Sequence, residues 1–181
     1  PVFLATASWS ASTTAGTWLG LIITRWSALA PLKLMRASNC QWRLIGFSAE
    51  LGGKNPMIIT RTADVDRAVA GAARGCYSNS GQLCISIERI YVLQEVAARF
   101  MDAFAEATAA LRLGAEAGYG PEMGPLASQD QLDKMREHVT DAVAKGARVL
   151  SGGNARPDLA PWFHEPTILV DGEPHLITGR G

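Results

Sequence analysis

From Arg43 onward the chain alternates between short apolar stretches and longer amphipathic ones. The short stretches have the length and the bounding turn residues of β-strands, at 43–50, 56–60, 88–93 and 165–170, with a strand and turn at 147–153. The longer ones repeat apolar residues every three or four positions, which predicts helices over 63–80, 96–113 and 128–145. Alternating strands and helices fold as parallel βα units with helices on both faces of the sheet. We therefore predict an α/β fold, a three-layer αβα arrangement around a mainly parallel sheet.

Local signals mark the ends and faces of these predicted helices. Ser128 followed by Gln131 is a capping box at the start of the third helix, and Gly146 is the glycine expected just after its end. Cys76 falls on the apolar face of the first helix, together with Val69. We predict that Cys76 is a core residue.

Charge and cysteine usage narrow the possible partners and compartment. The net charge of +0 gives no reason to expect nucleic acid or an anionic membrane as a partner. The apolar run at 18–23 is too short to cross a bilayer. The three cysteines, Cys40, Cys76 and Cys84, cannot all pair and lack metal-ligand spacing. We expect no metal, and a reducing, cytoplasmic location.

The first part of the chain obeys different compositional rules. Residues 1–49 contain no Asp or Glu and four of the five tryptophans, whereas all 17 acidic residues lie from Glu50 onward. Residues 1–42 also lack a sustained apolar period of two or 3.6 residues, so the pattern predicts no particular structure for them.

Cys84 and Glu50 are the candidate chemical groups. Glu50 follows a predicted strand and precedes two glycines, and Cys84 follows Gly81 and precedes another strand. Strand ends of this kind collect at one edge of a parallel sheet, so a thiolate nucleophile and a general base could meet there. Alternatively, Cys84 is a small buried hydrophobe and Glu50 a solvated surface residue. The spacing alone leaves both interpretations open.

Two motifs in order resemble signatures of the aldehyde dehydrogenase superfamily. ELGGKNP at 50–56 is similar to the E-L-G-G-K-x-P signature, and SNSGQLC at 78–84 ends in a G-Q-x-C signature. Glu50 and Cys84 stand in the order and at the separation that the family shows. RIYV, MGPL, KGARVLSGG and EPTIL continue the resemblance, which covers about 43–169. It implies that the α/β fold is part of the catalytic domain of that family.

The resemblance also implies a mechanism. Cys84 would attack an aldehyde to give a thiohemiacetal, hydride would pass to NAD or NADP, and Glu50 would activate the water that hydrolyses the resulting thioester. The backbone N–H of Cys84 would form half of an oxyanion hole. Leu51 and Gly52 would lie near the nicotinamide. The implied partners are a small-molecule aldehyde and, for whole family members, copies of the same chain in a homodimer or homotetramer.

NPMI at 55–58 and QLCISIERIYV at 82–92 look most like bacterial family members that oxidise succinate semialdehyde. Some enzymes of that specificity carry an arginine six residues before the nucleophile, where this chain has Ser78. Succinate semialdehyde is therefore one candidate, and a general or apolar aldehyde is another. Two alternatives lie outside this activity: a cofactor-free thiol esterase or hydrolase, and a non-catalytic truncated product.

The resemblance is incomplete at both ends. An F-T-G-S turn is expected upstream of Glu50, where the sequence from position 24 reads TRWSALAP, and an E-x-F-G-P motif is expected after the EPTIL strand but does not follow it. We expect the elements that bind the cofactor to be largely missing, with 1–42 an anomalous segment in place of the end of the cofactor-binding domain and 43–181 a partial catalytic domain. We hypothesise that 1–42 arose from a shifted reading frame or a misplaced gene start, and we expect this fragment alone to be inactive.

Overall fold

The structure is a computed structural model that describes residues 2–7, 18–23, 53–118 and 120–171. The strands in this part of the chain are β1 (Val2–Ala7), β2 (Trp18–Ile23), β3 (Asn55–Ile59), β4 (Ile87–Leu93), β5 (Arg148–Ser151) and β6 (Ile168–Val170). The helices are α1 (Val65–Tyr77), α2 (Gln94–Ala109) and α3 (Gln129–Ala144). The predicted strand at 43–50 lies outside the described residues.

The strands form one sheet in the order β3-β4-β2-β1-β6-β5. β3 runs parallel to β4, and β1 runs parallel to β6. β2 is antiparallel to both of its neighbours, and β5 is antiparallel to β6. The α/β prediction is confirmed, but the sheet is mixed, because β2 and β5 run antiparallel to their neighbours. β1 and β2 come from the segment at 1–42, for which the sequence pattern predicted no structure.

Helices cover both faces of the sheet. The larger apolar cluster lies between the sheet and the helices α1 and α2, and the smaller one involves α3. β6 shows the division most clearly: Ile168 and Val170 belong to the larger cluster, whereas Leu169 belongs to the smaller one. Successive side chains of a strand point to opposite faces, so the two clusters lie on opposite sides of the sheet. The three-layer arrangement is therefore confirmed.

The packing of α1 against α2 centres on aromatic rings. The rings of Tyr77 and Phe104 are stacked with centroids 6.2 Å apart, and those of Phe100 and Phe104 are 5.4 Å apart. Both phenylalanines are fully buried, and each contributes on the order of 3 kcal/mol to stability by its burial. Cys76 lies in the same cluster with 1% of its surface exposed, which confirms the prediction that it is a core residue.

The predicted helix caps are present. Ser128 Oγ accepts a hydrogen bond from the backbone N–H of Gln131 at 3.4 Å, which is one of the two bonds of a capping box. Asp64 caps α1 in the same way, through the N–H of Arg67 at 3.1 Å. α2 ends four residues earlier than predicted, because Leu113 leaves the helix to form a β-bridge with Met123.

Candidate active site

Cys84 lies at the corner of a tight turn between α1 and β4. The backbone N–H of Ser86 donates to the carbonyl of Leu83 at 3.1 Å, which closes a turn with Cys84 and Ile85 at its two central positions. Both central residues are exposed, Ile85 by 75%. The interpretation of Cys84 as a small buried hydrophobe is therefore wrong, because its thiol is open to reagents.

Asn55 joins the first signature to the turn that carries Cys84. Its side-chain Nδ2 donates to the carbonyl of Cys84 at 2.9 Å and to the carbonyl of Ser86 at 3.0 Å. One amide group therefore spans both signatures, although they are distant in sequence. The amide at position 55 was visible in the sequence, but its partners were not, because both are backbone carbonyls.

The segment before Cys84 has an unusual backbone. Asn79, Ser80 and Gly81 have positive φ values of 51°, 56° and 73°. Glycine adopts this region at little cost and asparagine does so more readily than most residues, so the strain lies mainly at Ser80, at about 1–2 kcal/mol. A Cβ atom at Gly81 would also lie 3.2 Å from the carbonyl oxygen of Cys76. Such strain persists only where surrounding contacts hold it in place.

The segment at 124–127 supplies some of those contacts. Ser80 Oγ donates to the carbonyl of Gly124 at 2.8 Å, and the N–H of Ala127 donates to Oε1 of Gln82 at 2.9 Å. These bonds join the cysteine signature to the segment that contains the MGPL motif and the residue after it. The segment braces the strained backbone that leads to the thiol.

A charged cluster lies beside Asn55. The residue before it, Lys54, is half-buried; burial lowers the pKa of its ammonium group to about 8, the charge of Arg89 acts in the same direction and that of Glu88 opposes it. Glu88 is 1% exposed and is the extra residue of a β-bulge, since Asn55 pairs with Ile87 whereas the next residue of β3 pairs with Arg89. Bulges are frequent beside active sites, where they redirect side chains.

The other predicted site residues lie outside the described part of the chain. Glu50, Leu51 and Gly52 are not among the described residues, so their convergence with Cys84 and their contacts with a nicotinamide remain predictions. Within the described ranges no three His, Cys, Asp or Glu side chains are grouped so that they could hold a metal ion. None of the helices at 53–118 and 120–171 is both long and apolar enough to cross a membrane.

Sequence comparison finds a match to one protein family. The sequence model of the aldehyde dehydrogenase family matches residues 33–178. This range extends beyond both ends of the resemblance seen at 43–169, and it includes residues after the EPTIL strand. A proposed succinate-semialdehyde dehydrogenase [NADP(+)] of Mycolicibacterium smegmatis is 56% identical over 134 residues, which are 74% of this chain and 26% of the relative. The chain thus spans about a quarter of the length of the curated relatives it matches.

Solved structures agree with the sequence match. The crystal structure of succinate-semialdehyde dehydrogenase from Burkholderia pseudomallei superimposes with a TM-score of 0.73 at 32% identity, over 85% of this chain and 31% of that one. An NADP dependent enzyme of E. coli superimposes with a TM-score of 0.66 at 38% identity, over 69% of this chain and 26% of the other. The described fold therefore matches part of the fold of each of these two enzymes.

Proposed function

Because the chain belongs to the aldehyde dehydrogenase family, we propose that it carries the nucleophile and the general base of an enzyme that oxidises an aldehyde to a carboxylic acid. The observation that supports this most directly is the exposed thiol of Cys84 at the corner of a turn held by Asn55. A buried structural cysteine such as Cys76 would have no access to a substrate.

The first half of the reaction begins at the turn that carries Cys84. The thiolate of Cys84 attacks the aldehyde carbon, a C–S bond forms, and the carbonyl π electrons move to the oxygen. The backbone N–H of Cys84 donates to that oxyanion. When bound, NAD(P)⁺ supplies the acceptor for the hydride that leaves the same carbon, and a thioester on Cys84 remains.

Glu50 serves the second half as general base. Its carboxylate takes a proton from water, the water oxygen adds to the thioester carbon, and the C–S bond breaks to release the acid and the thiolate. Chain connectivity allows this role without placing the carboxylate: Glu50 is five residues before Asn55, so it lies within about 18 Å of the residue that holds Cys84.

The nicotinamide would contact Leu51 and Gly52. These residues directly follow the proposed base, and glycine lets a backbone approach a ring closely. The exposed position of Cys84 fits a bound cofactor, because the hydride acceptor has to reach the carbon attached to the sulfur. Relatives whose names specify NADP(+) favour that cofactor over NAD.

Succinate semialdehyde is the substrate that the relatives' names favour. The alternative is an aldehyde without a carboxylate, for which one contact is relevant. Ser78 occupies the position at which some enzymes of this specificity carry an arginine, and its hydroxyl donates to the carbonyl of Arg74 at 2.7 Å, at the end of α1. If succinate semialdehyde is the substrate, a cationic residue at a position other than 78 binds its carboxylate, because Ser78 carries no charge.

The activity is tested in two settings. The 181-residue chain is assayed for NADPH formation with succinate semialdehyde and with butanal, and we expect negligible turnover. Residues 43–169 are then exchanged into the Mycolicibacterium smegmatis relative, and we expect that chimaera to be active.

Cys84→Ser should abolish the activity of the chimaera, whereas Glu50→Gln should allow one turnover and then accumulate the thioester, visible by intact mass. Glu137→Gln, at an exposed position outside both signatures, is the matched control.

The outcomes separate the candidate functions. A folded chimaera that produces no NADPH but cleaves p-nitrophenyl acetate through Cys84 would favour a cofactor-free thiol hydrolase. A folded chimaera inactive in both assays would favour a non-catalytic product. A higher kcat/KM for butanal than for succinate semialdehyde would contradict the proposal that succinate semialdehyde is the substrate.

A further inference from the structure

We infer that Asn55 is a positioning residue for the nucleophile: its side-chain NH₂ group fixes the turn that presents the sulfur and the backbone N–H of Cys84. The inference rests on the proposed function, because it assigns a role within the same reaction. It adds a residue that touches neither the aldehyde nor the cofactor and acts through the backbone of Cys84.

Both peptide groups that flank Cys84 are held by hydrogen bonds. The carbonyl of Leu83, in the preceding group, accepts from the N–H of Ser86 at 3.1 Å. The carbonyl of Cys84, in the following group, accepts from Nδ2 of Asn55 at 2.9 Å. Since peptide groups are planar, only φ and ψ of Cys84 separate the two held planes. Fixing both planes therefore fixes the direction in which the side chain leaves the backbone.

The same geometry sets the direction of the proposed oxyanion donor. All peptide bonds in the described residues are trans, so the N–H of Cys84 points opposite to the carbonyl of Leu83. That carbonyl points into the turn, towards Ser86. The N–H of Cys84 consequently points out of the turn. An oxygen bound there would meet a donor that needs no rearrangement, which is the condition for effective oxyanion stabilisation.

The chemistry of asparagine suits this task. Its amide nitrogen carries two hydrogens, and the structure gives it two acceptors, the carbonyls of Cys84 and Ser86. An aspartate of the same size would present only acceptor oxygens to these two carbonyl oxygens. Asn55 is itself fixed as the first residue of β3, paired with Ile87 of β4. The turn is therefore anchored to the sheet, which holds a site more precisely than a loop does.

The backbone immediately before the turn is strained, so the turn needs contacts that hold it in place. Asn79, Ser80 and Gly81 are all left-handed, and Ser80 in particular favours a return to ordinary φ values. Contacts with 124–127 hold this segment on one side of the signature, and Asn55 holds the turn after it. Loss of the Asn55 amide would release the part of the backbone that carries the sulfur.

The test compares two reactions of Cys84 in the 181-residue chain. Iodoacetamide alkylates the sulfur without placing charge on an oxygen, whereas an aldehyde adds to give an oxyanion beside the Cys84 N–H. Protection of Cys84 from iodoacetamide by butanal, measured by peptide mass spectrometry, therefore reports the adduct. We expect Asn55→Asp to raise the butanal concentration that halves the alkylation rate of Cys84 by about five- to tenfold. This is the effect of one or two lost hydrogen bonds. The alkylation rate without aldehyde should change less than about twofold.

Hydrogen exchange provides a readout that needs no aldehyde. Exchange of the peptide that spans 83–87 should be faster in Asn55→Asp, while exchange in α2 stays as in the wild type. Asn55→Ala is the second variant, in case the introduced carboxylate prevents folding. Asn154→Asp is the matched control: Asn154 Nδ2 donates to Glu165 Oε2 at 3.0 Å in the β5–β6 connection, so the same substitution there should leave Cys84 unchanged.

Each outcome decides something. Equal butanal protection in the wild type and in both Asn55 variants would overturn the inference, as would unchanged exchange at 83–87. If butanal fails to protect wild-type Cys84, the proposed aldehyde chemistry fails for this chain. In that case faster exchange confined to 83–87 in the Asn55 variants would still support the positioning role, and unchanged exchange would overturn it.

Discussion

Gln82, two residues before the exposed Cys84, accepts a hydrogen bond at its Oε1 from the backbone N–H of Ala127 at 2.9 Å. A glutamine side chain thus connects the segment that carries the nucleophile to the segment that leads into α3. This acceptor bond is shorter than the two that Gln82 Nε2 donates, to the carbonyls of Asn79 at 3.3 Å and Pro125 at 3.5 Å.

Replacing Gln82 should destabilise the protein through this bond. Gln82→Ala leaves the N–H of Ala127 without its acceptor, so we expect the free energy of unfolding to fall by about 1–2 kcal/mol in urea denaturation. Gln82→Glu keeps an acceptor oxygen and should lose no more than about half as much. Gln129→Ala removes an exposed side chain that bonds Asp133, and should change stability by less than about 0.5 kcal/mol. Equal losses in Gln82→Ala and Gln82→Glu would show that the acceptor bond is unimportant.

Two glycines with positive φ should respond differently to the same substitution. Gly146 has a φ of +92° and open space where a Cβ would lie, so Gly146→Ala should cost only the conformational penalty of about 1 kcal/mol. Gly152 has a φ of +70°, and a Cβ there would collide with the backbone carbonyl of Pro166. Since backbone atoms cannot move aside cheaply, Gly152→Ala should cost about 3 kcal/mol or more. Urea denaturation of both variants checks this, and similar losses would contradict the predicted collision.

His164 should make stability depend on pH. Its Nδ1 donates to the carbonyl of Glu165 at 2.8 Å, so the neutral ring carries its proton there. Nε2 is buried and has no hydrogen-bond partner among the described residues, and burial lowers the pKa of the ring from 6.5 to about 4. Between these two values the unfolded chain binds a proton that the folded chain excludes. This histidine alone should therefore lower the free energy of unfolding by about 3 kcal/mol as the pH drops through this window.

His164→Asn isolates that contribution. The amide can still donate to the carbonyl of Glu165 but does not titrate, so the fall between pH 6.5 and 4 should become smaller than in the wild type. It should not vanish, because burial also lowers the pKa of His138 to about 4. Urea denaturation at several pH values measures the difference, and parallel curves for wild type and variant would refute the assignment.

Two cysteines of the chain should differ widely in reactivity. Cys84 is exposed, whereas Cys76 is 1% exposed and burial raises the pKa of its thiol well above the usual value. Cys76 can react only when the core opens, at a cost of about 3 kcal/mol or more, so iodoacetamide should label Cys84 at least about a hundredfold faster. Peptide mass spectrometry measures both rates. In concentrated urea the two rates should become similar, and similar rates in native buffer would contradict the described burial.

The sequence could predict much of this fold because its signals are local. Ser128 and Gln131 are three residues apart, so the bond between them forms when the helix begins and needs no distant partner. Cys76 was placed in the core from helical spacing alone, since residues three and four apart share a helix face. The periodicity of α2 predicted its existence but not its end, because the bridge from Leu113 to Met123 is not encoded in a helical pattern.

Two features of the structure depended on partners distant in sequence. Apolar spacing could not decide whether Cys84 is buried or exposed, because the turn that carries it is held by the side chain of Asn55, which precedes Cys84 by 29 residues. The antiparallel β2 was not foreseen either, since its segment shows no period of two and is placed by its pairing with β4, on the far side of α1 in the chain.

The sequence by itself determined the family and the order of strands and helices from Asn55 onward, because periodicity, capping and the two signatures are written in neighbouring residues. Only the tertiary structure decided that Cys84 is open to solvent and that Asn55 is what holds its backbone. The physical reason is that a carbonyl accepts the same hydrogen bond whatever side chain its residue carries. The pattern of side chains in the sequence therefore cannot predict which carbonyls Asn55 binds.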